Sequence, residues 1–108
     1  MKPRMPTYDL KTVKETVARG DVMLTRRVRS YLMNHACESP KETALGVFDA
    51  MRAEHFYKTD ELDALPGVMA DIYRGVPYDG TEWYVKFFIR DGMATVDVWS
   101  LKEDGYGF

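Results

Sequence analysis

The stretch Glu82–Arg90, Asp91-Gly92 and Met93–Leu101 constrains this chain most. Asp-Gly between two alternating runs is the strongest short-range signal for a two-residue hairpin, because both central residues of that turn need positive φ. The spacing predicts a hairpin closed at Asp91-Gly92. It places Trp83, Val85, Phe87, Ile89, Ala94, Val96 and Val98 on one apolar face. Tyr84, Lys86, Phe88, Arg90, Met93, Thr95, Asp97 and Trp99 fall on the other, with Tyr84 opposite Trp99 and Lys86 opposite Asp97. A sheet covered on one side needs polar residues on the other, but it does not need three aromatic rings there. Cations interleaved with rings mark surfaces that bind single-stranded nucleic acid. The same residues also read as ordinary cross-strand pairs, each contributing about 0.2–1 kcal/mol.

The 108-residue chain is sized for one domain with its own core, and 45% hydrophobic against 30% charged residues is the balance of a globule rather than a disordered chain. No apolar run approaches membrane-spanning length, and Met1-Lys-Pro-Arg lacks a secretory leader's apolar segment. A single cysteine, Cys37, excludes an internal disulfide, and with only His35 and His55 there is no credible zinc set; a reducing cytoplasm is the expected setting. The net charge of −2 is unevenly spread. Residues 1–37 hold eight Lys or Arg against three acids, whereas residues 54–102 hold five against nine. A polyanion would be drawn to the first helices or to a local cluster of cations.

Three helices are expected before the sheet. Asp9 caps the first, which runs to about Arg19 with Leu10, Val13 and Val17 on one face and Gly20 as its stop. Thr25 caps the second, to about Ala36, with Val28, Leu32 and Ala36 inward. Arg26, Arg27 and Arg29 lie near its start, a possible phosphate contact or simply a solvated face. Ser39-Pro40-Lys41-Glu42 has the pattern of a capping box, so the third helix runs from Pro40 to about Arg52, burying Ala44, Leu45, Phe48 and Met51. Gly46 weakens it.

Beyond Ala53 the pattern alternates. Glu54–Lys58 and Val68–Arg74 read as strands, and Thr59–Gly67 and Gly75–Thr81 as loops, before the hairpin. Asp21–Leu24 is too short to assign. Helices followed by strands indicate one α+β domain over residues 1–108: three N-terminal helices on one face of a four-stranded antiparallel sheet ending in the Asp91-Gly92 hairpin.

No phosphate-binding loop, nucleophile elbow or metal-ligand spacing is present. His35 and Cys37 are too close in sequence to form a convincing catalytic pair, and His55 could serve as an acid or base. Lys58, Arg74, Tyr84, Lys86, Arg90 and Lys102 remain, with Tyr57 and Tyr73 nearby. That set suits cleavage of RNA by its own 2′-hydroxyl, where the protein takes one proton, gives another and stabilises charge on phosphorus. It is equally the set that scattered surface cations would leave.

Several segments resemble the MqsR toxins, the motility quorum-sensing regulator family. Lys2–Gly20 is similar to the family's basic, Pro-containing entry and first helix, and Thr25-Arg26 to the opening of its second. Phe56-Tyr57-Lys58, Asp71-Ile72-Tyr73-Arg74, Tyr84-Val85-Lys86 and Trp99-Ser100-Leu101-Lys102-Glu103 resemble later family elements in the same order. The resemblance implies a RelE-like fold and an endoribonuclease acting on single-stranded mRNA without a metal or other cofactor. It also implies an antitoxin partner with zinc-binding and helix-turn-helix modules. It points to Lys58, Tyr84 and Lys102 as catalytic. Arg74 and Lys86, with Tyr73, Trp99 and Arg26, are the expected substrate contacts. Two elements depart from the family: its Trp-Gln, with the Gln active, is Met69-Ala70 here, and its Ser-Met-Thr-Thr is Thr59-Asp60-Glu61-Leu62. A non-catalytic interaction module on the same fold, docking a protein through the Tyr84–Trp99 face, is the alternative.

Overall fold

Helices begin where a short polar side chain can accept an orphaned backbone N–H. The computed structural model describes residues 5–35, 39–90 and 95–105. In it Asp9 caps α1 (Leu10–Ala18) through Thr12, Thr25 caps α2 (Arg26–Asn34) through Val28, and Ser39 caps α3 (Pro40–Ala50) through Glu42. The buried stripes are Val13 and Val17, then Val28 and Leu32, then Ala44, Val47, Phe48 and Met51. Val47 replaces the expected Leu45 because positions 44, 47, 48 and 51 form one helical face. At Gly46 an added Cβ would lie 2.1 Å from the Tyr78 ring, so the missing side chain makes room for that ring. Ala36 and Cys37 lie outside the described residues.

The sheet corrects the expected four antiparallel strands to five mixed ones, within the same α+β class. Its order is β1-β5-β4-β3-β2, formed by β1 (Val22–Leu24), β2 (Phe56–Glu61), β3 (Met69–Tyr78), β4 (Thr81–Ile89) and β5 (Val96–Glu103). β1 runs parallel to β5, with Val22 opposite Val96, and the other pairs are antiparallel. Three residues cannot display a period, so β1 is set by the edge β5 offers rather than by local pattern. The helix stripes pack on Tyr73, Val76, Trp83, Val85, Phe87, Val96, Val98 and Leu101, which make the inner face.

A two-residue turn joins β3 to β4 at Asp79-Gly80, with φ of +53° and +77° and Tyr78 opposite Thr81. β3 therefore runs through Gly75 and Pro77, where a loop was expected. Pro77 is tolerated because β2 pairs with β3 only as far as Tyr73, which leaves its missing N–H on a free edge. Asp91-Gly92 lies outside the described residues. On its flanks Ile89 faces Val96 and the Arg90 N–H donates to the Thr95 carbonyl, two places beyond the expected register. The expected Tyr84–Trp99 and Lys86–Asp97 pairs are thus replaced by Tyr84–Lys102 and Lys86–Ser100. Asp97 instead binds Arg90.

Candidate functional site

The outer face of the sheet is divided. At one end Leu62, Ala70 and Phe88 form a second small core with Val68 and Trp99. Ala70, where the resemblance leads one to look for an amide, is fully buried there. The other end is open and carries the cations. Lys58, Ile72, Lys86 and Ser100 form one row across β2, β3, β4 and β5, and Tyr84 and Lys102 begin the next.

Three register shifts build this end, each at an extra residue that matters to it. Tyr57 is extra between Phe56 and Lys58, and Arg74-Gly75 stands against Tyr84 alone. Trp99 is extra between Val98 and Ser100. Bulges re-aim side chains and increase local twist. The Trp99 bulge moves Lys102 from the apolar face, where unbroken alternation would put it, to the Tyr84 face. Tyr84 consequently lies between Arg74 on β3 and Lys102 on β5, with the Lys102 Nζ 5.9 Å from its ring centroid. The Tyr57 ring carries Arg74 at 5.2 Å and Lys58 at 5.5 Å. Lys58 and Lys102 themselves are three strands apart, roughly 14 Å between backbones at about 4.8 Å per strand. They mark the two ends of a strip whose middle is Tyr84.

The strip is cationic although the sheet half of the chain is acidic. Asp60 pairs with Lys58 at 3.3 Å and Asp104 with Arg74 at 2.7 Å, two carboxylates against the four cations Lys58, Arg74, Lys86 and Lys102. Burial, reinforced by Asp60, raises the Tyr84 hydroxyl above its usual value, so it keeps its proton at neutral pH. Burial and the Arg27 charge lower Lys102 below the ordinary lysine value of 10.5.

Asp104, directly after β5, fastens the end of that strand to this site. Its carboxylate accepts from Arg74 and from the Gly75 N–H at 2.8 Å. Burial alone would raise its pKa, but the Arg74 guanidinium and the backbone donors of Gly75 and Gly105 outweigh that and hold it below 3.8. The clamp therefore stabilises the fold above the unfolded carboxyl pKa and is lost as pH falls through the lowered folded value. Urea melts should show Asp104→Asn less stable than the parent at neutral pH, with the gap closing below about pH 4. A gap independent of pH would contradict the clamp.

Of the expected contacts, Lys58, Arg74, Tyr84, Lys86 and Lys102 share the open face. Tyr73 does not, and that expectation is corrected. It is fully buried on the inner face between Phe56 and Phe87, its hydroxyl finds no partner among the described residues, and burial beside Asp71 pushes its pKa to about 12. Arg26 is exposed at the first turn of α2, but it is Arg27 that stands beside Lys102. Trp99 packs on Phe88 rather than opposite Tyr84. His55 Nδ1 accepts the Arg52 N–H in a short 3₁₀ turn (Ala53–His55), a structural role. Among the described residues no three His, Cys, Asp or Glu side chains gather into a metal site. Nor is any described helix long and apolar enough to cross a membrane.

Together these features define a helix-backed mixed sheet whose open face carries a tyrosine-centred strip of cations framed by bulges. The chain belongs to the family of the motility quorum-sensing regulator, toxin of MqsA, whose model matches residues 5–103. It is therefore of the toxin class of toxin–antitoxin pairs, with an antitoxin as its partner. No curated protein matches it.

Proposed function

We propose that this toxin is an endoribonuclease that cleaves single-stranded mRNA on the open face of the sheet. The observation that carries this reading is Tyr84 held between Arg74 and Lys102. The reaction needs no nucleophile from the protein. A ribose 2′-hydroxyl gives up its proton to solvent water as it attacks the neighbouring phosphorus, the bond from phosphorus to the 5′-oxygen breaks, and a 2′,3′-cyclic phosphate and a 5′-hydroxyl remain. The protein must hold the developing charge and supply a proton to the leaving oxygen. Arg74 and Lys102 supply the positive charge, and Tyr84, protonated at neutral pH, positions or donates. Lys58 and Lys86 bind and neutralise neighbouring phosphates. The antitoxin partner, carrying zinc-binding and helix-turn-helix modules, would neutralise the toxin in the cytoplasm.

One observation favours a second reading. Ala70 buried beneath Phe88 leaves no amide on the strip, which suits a face that docks a protein without cleaving RNA. Incubating the purified toxin with end-labelled RNA in EDTA separates the two. Fragments ending in 2′,3′-cyclic phosphate are expected; intact RNA at high enzyme concentration would support the docking module.

A further inference from the structure

Where β1 ends, the outer edge of β5 meets α2 and leaves a small notch. It is lined by Arg27 and Tyr31 from the helix and by Trp99, Ser100 and Lys102 from the strand, with a volume of about 120 Å³. Ligand pockets run to roughly 300–1,000 Å³, so this one takes a single flat group. Its lining sets two aromatic rings and two cations around an apolar floor of Val28 and Leu101. Tyr31 is fixed in place, its hydroxyl accepting the Glu103 N–H at 3.2 Å and its ring stacked on His35. Lys102 belongs both to this notch and to the catalytic strip, so the two are continuous.

We infer that the notch is a nucleotide subsite of the toxin: one RNA base enters between Tyr31 and Trp99 while its phosphate lies between Arg27 and Lys102. The RNA then leaves the open face over the β5 edge and continues along the start of α2. This rests on the reading of the open face as an RNA site. The chemistry supports it in two ways. Aromatic faces accept any base by stacking, and adjacent cations track the backbone. Arg27 and Lys102 repel each other, which contributes to the lowered Lys102 pKa, and an anion placed between them relieves that repulsion.

The test uses the full chain and a 2′-O-methyl RNA of about ten nucleotides, which binds but lacks the attacking hydroxyl. Trp83 is buried with its indole N–H on the Tyr78 carbonyl, so quenching of tryptophan emission reports Trp99. Titration should quench the emission, and Trp99→Phe, which keeps a ring in the Phe88 cluster, should remove the quench. Arg27→Gln should weaken binding about tenfold and reduce the slope of log affinity against log salt by about 0.7. Lys11→Glu, an exposed change on α1, should leave affinity within about twofold. If RNA is cleaved but Arg27→Gln and Trp99→Phe bind as the parent does, the notch falls and the nuclease stands. If the oligonucleotide binds with this dependence but RNA is not cleaved, the subsite stands and the nuclease reading falls. A notch that instead weakens antitoxin binding when Arg27 is changed, with RNA affinity intact, is a protein interface and overturns the inference.

Discussion

Asp71→Ala should destabilise the protein by about 3–5 kcal/mol, a large part of the roughly 5–15 kcal/mol that holds a domain together. Asp71 is fully buried on the inner face of β3, opposite Phe87. Its two oxygens accept the backbone N–H groups of Thr7 and Tyr8, at 3.0 and 2.9 Å, and the Thr59 hydroxyl at 2.7 Å. One side chain therefore ties the segment before α1 and the strand β2 to the middle of the sheet. The Tyr8 hydroxyl adds a second tie, donating to the Met69 carbonyl at 2.7 Å. Alanine would leave two partly buried backbone donors without their carboxylate, as well as a cavity where the Asp71 side chain was. Urea denaturation at neutral pH measures the loss. Asp71→Asn, keeping one acceptor oxygen, should fall between alanine and the parent, and Thr59→Ala should cost about 1 kcal/mol. A melt of Asp71→Ala matching the parent would show that the entry segment is held by something else.

What the sequence made legible was chemistry that acts within a few residues. Asp9, Thr25 and Ser39 cap their helices because an oxygen at that spacing meets an N–H whatever the rest of the chain does. Asp-Gly turn chemistry also acts locally, but three such pairs exist, at Asp79-Gly80, Asp91-Gly92 and Asp104-Gly105, and Pro77 and Gly75 disguised the Asp79-Gly80 hairpin as a loop. The free edge that permits Pro77 is a property of where β2 begins, some twenty residues away in sequence. β1 was hidden for the same reason, since its partner lies more than seventy residues on. The site suffered most from bulges. Strict alternation puts Lys102 on the wrong face and gives Tyr57 and Arg74 no special place, and one extra residue at Trp99 reverses the first of these. Tyr73 was attractive as a tyrosine beside an arginine. Its parity in β3 puts it inward, opposite Val85, and no motif changes that. Residue types for the proposed chemistry were thus readable from spacing, whereas their convergence on Tyr84 depended on register shifts that sequence does not display.

Tyr84→Phe removes a single oxygen atom from the centre of that convergence and should reduce RNA cleavage about 100-fold or more. The ring that packs beside Lys102 is retained, so stability should change by no more than about 1 kcal/mol. Expression of the variant should no longer arrest growth. If Tyr84 and Lys102 act on one phosphate, the double variant Tyr84→Phe with Lys102→Ala should be scarcely worse than the more damaged single one, because groups that work as a unit do not add. The pH profile distinguishes their parts. Lys102, lowered chiefly by burial and further by Arg27, loses its charge below the 10.5 of a free lysine, while Tyr84 is raised above 10.0 and still holds its proton. Cleavage should therefore fall as pH rises through the lowered Lys102 value. Lys102→Arg, whose guanidinium stays charged, should keep activity to higher pH. Undiminished cleavage by Tyr84→Phe would move the chemistry off this tyrosine, and an alkaline limb identical in Lys102→Arg would mean that a different group titrates.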